Sequence, residues 1–142
     1  MSLVLRAGLV PLVLLLVAGC SRTPTGLSAE LPGTAWTLER VVYADGTVER
    51  GTGERITFDP DGRVLLASCN TCNGTFRLRG NRLQVREPLA CTRRGCTEGE
   101  IELEVFFEEE RQLTRDGAYL IVEGEESSAQ LLFLPVATSA AP

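Results

Sequence analysis

The chain has 142 residues, enough for one domain, and its 44% hydrophobic content is that of an ordinary globular protein. The formal charge is −5, from 19 acidic residues against 14 basic ones, and every basic residue is an arginine. With no histidine, a Ser-His-Asp triad, a Cys-His pair and a histidine-ligated zinc are excluded; with an acidic balance and no basic stripe visible along the chain, a nucleic-acid partner is not expected.

Residues 1–19 place one arginine, Arg6, before an apolar run at 7–17 and then small residues. That order is the one found in a secretory signal. The run is shorter than the roughly 20 residues of a membrane-spanning helix. It ends in Val17-Ala18-Gly19-Cys20, which resembles a bacterial lipobox, whose cysteine is acylated and becomes the mature N-terminus. Cys20 is therefore the expected lipid anchor, held stably by more than one acyl chain. Residues 20–33, rich in Pro, Gly, Ser and Thr, are expected to form a flexible tether. Residues 34–136 form the expected domain, and 137–142 an unpacked, disordered tail.

Within the domain the pattern is mostly strand. Residues 34–43 are rich in aromatic and β-branched types, with Trp36 and Leu38 alternating with polar neighbours. The runs 55–59 and 63–68 flank Pro60-Asp61-Gly62, a strong hairpin signal because Pro pre-sets φ while Asp and Gly suit the tight part of a turn. The runs 75–78 and 82–86 flank Arg79-Gly80-Asn81, and 118–123 and 129–134 flank a polar loop, giving two more hairpins. Residues 97–114 carry alternating Ile101, Leu103 and Val105 but also i,i+4 apolar pairs. Their length and glutamate content point to a helix. The fold class expected is α+β, mainly antiparallel β, a curled or barrel-like sheet of hairpins with one covering helix.

Four of the five cysteines lie in 69–96, as Cys69-x-x-Cys72 and Cys91-x4-Cys96. In an exported chain four such cysteines make two disulfides, in one of three connectivities. Both pairs lie where the chain enters and leaves the 75–86 hairpin, so bridges between the pairs need only join its two ends. Nested pairing, Cys69–Cys96 with Cys72–Cys91, follows antiparallel register; crossed pairing stays open. A bridge spanning 27 residues contributes roughly 3 kcal/mol through the unfolded chain. A four-cysteine zinc site and a thiol-redox centre are competing readings. C-x4-C is a loose half for zinc, however, and the C-x-x-C lies between strands rather than before a helix.

These residues also carry a resemblance. Cys69-Asn70-x-x-x-Gly74-x-Phe76 and Leu89-Ala90-x-Thr92-Arg93-x-x-Cys96, joined by Gly80-Asn81-Arg82-Leu83, resemble the ordered motifs of META/HslJ-like domains. Trp36-x-Leu38 and Ile56-Thr57-Phe58-x-x-Asp61-Gly62 precede them in the family's order. Ser68 departs from the family's usual glycine, and Cys72 and Cys91 are additions that form a second matched pair if Cys69 and Cys96 are the family's pair. The resemblance implies a small β-rich fold, export or lipid anchoring in bacteria, and an association with stress tolerance. It brings no catalytic site and no cofactor.

The resulting expectation is a non-enzymatic lipoprotein of the bacterial cell envelope, facing periplasm or exterior. It supports envelope integrity or stress tolerance by binding a protein or envelope component. Asn70, Asn73, Thr92 and Arg93 are the candidate polar binding patch. No metal is expected, and Asn70, Asn73 and Gly74 equally suit plain turn chemistry. The alternatives are a small-ligand carrier, which needs an apolar cavity inside the sheet, and a metal-binding or thiol-redox protein using Cys69, Cys72, Cys91 and Cys96.

Overall fold

The computed structural model describes residues 26–124 and 129–137. The expected signal segment, Cys20, the start of the expected tether, residues 125–128 and residues 138–142 lie outside the described residues. In chain order the elements are α1 (Leu27–Glu30), β1 (Thr34–Tyr43), β2 (Val48–Arg50), β3 (Arg55–Phe58), β4 (Arg63–Ala67), β5 (Thr71–Arg79), β6 (Arg82–Cys91), α2 (Leu103–Phe106), β7 (Arg111–Asp116), β8 (Tyr119–Gly124) and β9 (Ala129–Pro135).

Among the described residues, every strand pairs antiparallel with its neighbour in a continuous sheet, and β1 returns to pair with β9. Strands β1 and β3–β9 thus close an up-and-down barrel, with β2 an extra strand at its edge and β6 and β7 joined through two residue pairs. One edge of β1 is shared: Thr34, Ala35, Trp36 and Thr37 pair with β3, and Arg40, Val41 and Val42 with the short extra strand β2. The turns follow the residues that specify them. Gly62 and Gly80 take φ of 86° and 62°, conformations that a side chain resists, at the tips of the β3–β4 and β5–β6 hairpins.

Alternation along the strands sends one set of side chains inward. Phe58, Phe133, Ile56, Leu66, Leu83 and Leu120 are all at most 1% exposed, and the interior is filled by such side chains. Each contributes roughly 1.5–3 kcal/mol on leaving water. The two barrel ends are closed differently. At one end, Leu31 follows α1 into the core and is fully buried. The stretch 27–33, which composition assigns to the tether, therefore packs on the barrel. Thr34 Oγ1 donates to the Leu31 carbonyl, Trp36 Nε1 donates to Thr34 Oγ1, and Arg115 lies over the Trp36 ring at 4.9 Å. At the other end, Leu103 and Phe107 plug the mouth.

That second plug differs from the long helix expected over 97–114. Only Leu103–Phe106 is α-helical, and Arg111 already begins β7, paired with β8 along its whole length and with β6 through Arg82 and Leu83. Glutamate-rich propensity favours a helix only weakly, by tenths of a kcal/mol per residue, and strand partners for Leu113 on both sides outweigh it. The covering helix is a single turn.

Candidate functional site

The α2 end gathers the cysteines. Cys69 is bonded to Cys96 and Cys72 to Cys91, a nested arrangement with sequence separations of 27 and 19. Cys72 is fully buried and Cys91 exposed, at directly paired positions of β5 and β6. This bridge therefore runs from core to surface. The outer bridge holds the 92–102 segment, which has no strand of its own, against the turn between β4 and β5. The two cysteines of the C-x-x-C motif thus belong to different bridges. Cys69, Cys96 and Glu100 do bring donor atoms within 4.8 Å of one another. A bonded sulfur carries no thiolate charge, however, and one carboxylate alone is a poor cation site.

Asn70 is the hub of the polar contacts here. Its Oδ1 accepts the Arg94 backbone N–H at 2.8 Å and the Thr92 hydroxyl at 3.3 Å, while Nδ2 donates to Glu104 at 3.2 Å. Thr92 Oγ1 in turn accepts the Thr71 N–H at 3.0 Å. Asn70 and Thr92, both candidates from the sequence, are therefore brought together but already occupied as struts. Asn73 and Arg93 are not joined to them: Asn73 is exposed on β5 between Leu65 and Ala90, and Arg93 is exposed on the following loop. No described residue other than glycine has positive φ, so Asn70 acts through its amide and not through an unusual backbone. Gly74 is needed for space. A Cβ there would meet Leu89 Cδ2 at 2.5 Å and the Arg86 carbonyl at 3.3 Å, beside the register shift between β5 and β6.

Ser68, marked in the sequence only as a departure from the family's glycine, completes the network with Glu104 and Glu100, which the sequence did not single out. Ser68 Oγ donates to Glu104 at 3.0 Å and accepts the Leu103 N–H at 3.3 Å, fixing the plug to the turn. The departure from glycine at Ser68 was the available signal. Glu100 accepts the Thr97 N–H at 2.6 Å and pairs with Arg94 at 2.5 Å. The Thr97 backbone bond, then Arg94, hold its carboxyl down to about 2.

Beside this network lies an open groove of about 400 Å³. One wall is the inward face of β1 and β9 where they extend past the plug, with Val41, Tyr43 and Leu131; the other is Ile101, Val105 and Phe106. Val105 is 52% exposed, one of two large apolar side chains left so exposed among the described residues, the other being Val48. Glu49, Glu100 and Glu102 rim the groove, and the Tyr43 hydroxyl donates to Glu49 at 2.8 Å. That bond, with burial and the carboxylate charge, raises the Tyr43 pKa. The chemistry available is apolar contact edged by carboxylates.

The META domain family model matches residues 29–138. The chain belongs to the META domain family. In META terms the matched span covers the barrel, both plugs and both bridges. Among solved structures, this META domain is similar to a protein from Burkholderia xenovorans determined by NMR, with 19% identity, a TM-score of 0.58, and coverage of 78% of this chain and 86% of that one. A lipocalin-like protein from Bacteroides uniformis ATCC 8492 has 19% identity and a TM-score of 0.51, covering 75% of this chain and 99% of that one. A third, solved by NMR, has 18% identity and a TM-score of 0.57, over 75% and 92%. At these identities the likeness is one of fold. Among curated protein sequences, none matches the chain.

Proposed function

We propose that the protein is an envelope lipoprotein, anchored through Cys20, whose META domain supports envelope integrity or stress tolerance. It does so by holding a protein or envelope component in the groove beside α2. The observation that carries this reading is the contrast between a filled interior and that exposed apolar groove. A carrier in the manner of an open-mouthed barrel needs an internal cavity. Here Phe58, Phe107, Phe133 and Leu31 occupy the space a cargo would need, so recognition falls to the outside. The lipobox at Val17-Ala18-Gly19-Cys20 supports the anchor, and the paired cysteines suit an oxidising compartment.

The test is complementation of a deletion strain under detergent stress. Wild type is expected to restore survival. Cys20→Ser is expected not to, although the domain still accumulates, and Val105→Arg is expected to restore it only partly. Full rescue by Cys20→Ser would remove the anchor from the function, and full rescue by Val105→Arg would remove the groove.

A further inference from the structure

The stretch 63–86 holds five of the 14 arginines and no acidic residue, so it is +5 in a chain of −5 and the remainder carries −10. The fold concentrates that charge further. On β5 and β6 the inward positions are Phe76, Leu78, Leu83 and Val85, which leaves Arg77, Arg79, Arg82 and Arg86 on the outer face. Arg79 stands directly opposite Arg82, and Arg77, opposite Gln84, is diagonal to both Arg82 and Arg86. Like charges directly opposed across a ladder destabilise it. Two of the five are neutralised within the fold: Arg63 has Asp59 and Asp61, and Arg82 reaches out to Glu110. Among the described residues no carboxylate pairs with Arg77, Arg79 or Arg86.

We propose that the outer face of the β5–β6 hairpin is a docking surface for the phosphate-bearing headgroups of an anionic membrane. Guanidinium groups grip phosphate oxygens in pairs and shed water more readily than ammonium groups do, and this chain uses no lysine at all. The hairpin holds Arg77, Arg79 and Arg86, beside the Glu110-paired Arg82, on one sheet face, which matches a plane of headgroups. A nucleic-acid strand long enough to bind would also run past the −10 remainder. The location agrees as well: the turn at Gly80 and Asn81 lies at the barrel end where the chain enters at Gly26, the side from which a lipid tether comes. The proposal rests on the envelope reading for the presence of a membrane, though not for the binding itself.

The experiment uses the full chain with Cys20→Ser, so that acylation contributes nothing, and measures co-sedimentation with phosphatidylcholine vesicles with and without phosphatidylglycerol. Binding is expected to require phosphatidylglycerol and to vanish in high salt. Arg77→Gln/Arg79→Gln is expected to weaken it roughly 30-fold, as two arginines at an anionic surface contribute. The same variant is expected to melt slightly higher than its parent, because it relieves the repulsion; this separates lost docking from lost folding. Equal partition to both vesicles, an unchanged affinity in the double variant, or competition by a single-stranded oligonucleotide at lower concentration than phosphatidylglycerol would each overturn the proposal. Because the acylated cysteine is absent from this experiment, its outcome does not bear on the Cys20 anchor, and the two readings fail separately.

Discussion

The two ends of the barrel solve the same problem by different means. At the α1 end the strands are joined by tight turns, and one buried leucine, Leu31, with Trp36 beneath it, suffices to close the opening. At the α2 end the connection from β6 to β7 runs across the mouth, and β6 meets β7 through only two residue pairs. Here the plug of Leu103 and Phe107 is backed by two disulfides and the Ser68–Asn70–Glu104 contacts. The outer bridge, Cys69–Cys96, thus holds a segment that has no strand of its own, while Cys72–Cys91 joins β5 and β6 at positions already paired. The contrast teaches that the outer bridge does for residues 92–102 what sheet pairing does for the strands, and that the inner bridge reinforces a ladder already formed.

The largest test of that contrast is at the plugs. Phe107→Ala should cost about 4 kcal/mol and Leu31→Ala about 3 kcal/mol in chemical denaturation, since both leave cavities at fully packed positions. A negligible loss at Phe107 would mean that the disulfides alone close the α2 end. Next is the outer bridge: Cys69→Ala/Cys96→Ala should cost roughly 3 kcal/mol. Hydrogen exchange should rise first in residues 92–102, with the α1 end unchanged; an even rise across the barrel would break the comparison. The smallest effect is at Glu100. Its carboxyl titrates in the fold at about 2, against 4.5 unperturbed. Its contribution is therefore complete above about 4.5 and lost as pH falls through about 2. In Glu100→Gln the dependence of stability on pH between those values should flatten, as read by thermal melts at a series of acid pH values.

Much of the barrel was legible because its signals are local. The bounds of β1 are legible from its aromatic and β-branched content and from Trp36 and Leu38 alternating with polar neighbours, and the hairpins from Pro60-Asp61-Gly62 and Gly80-Asn81. What could not be read depended on distant partners. The glutamate run reads as helix until β8 claims Leu113, and β2 exists only because β1 offers it an edge. At the candidate site, residue types pointed to Asn70 and Thr92, but only the fold shows that they are already used inside the network. The arginine face was hidden for a related reason. Arg77, Arg79, Arg82 and Arg86 do not form a run, and only the cross-strand register of the hairpin puts them together.

Strand β1 also has a mechanical meaning. It begins at the end where the chain enters and finishes at Tyr43, in the wall of the groove. Along the way it is bonded to β9 on one side and to β3 and β2 on the other. A pull on the N-terminal segment, with the groove held fast, loads this strand lengthwise. The hydrogen bonds of both ladders then share the force together instead of opening one after another. The same strand that closes the barrel is thus the one that would carry tension between the chain's entry point and whatever the groove holds.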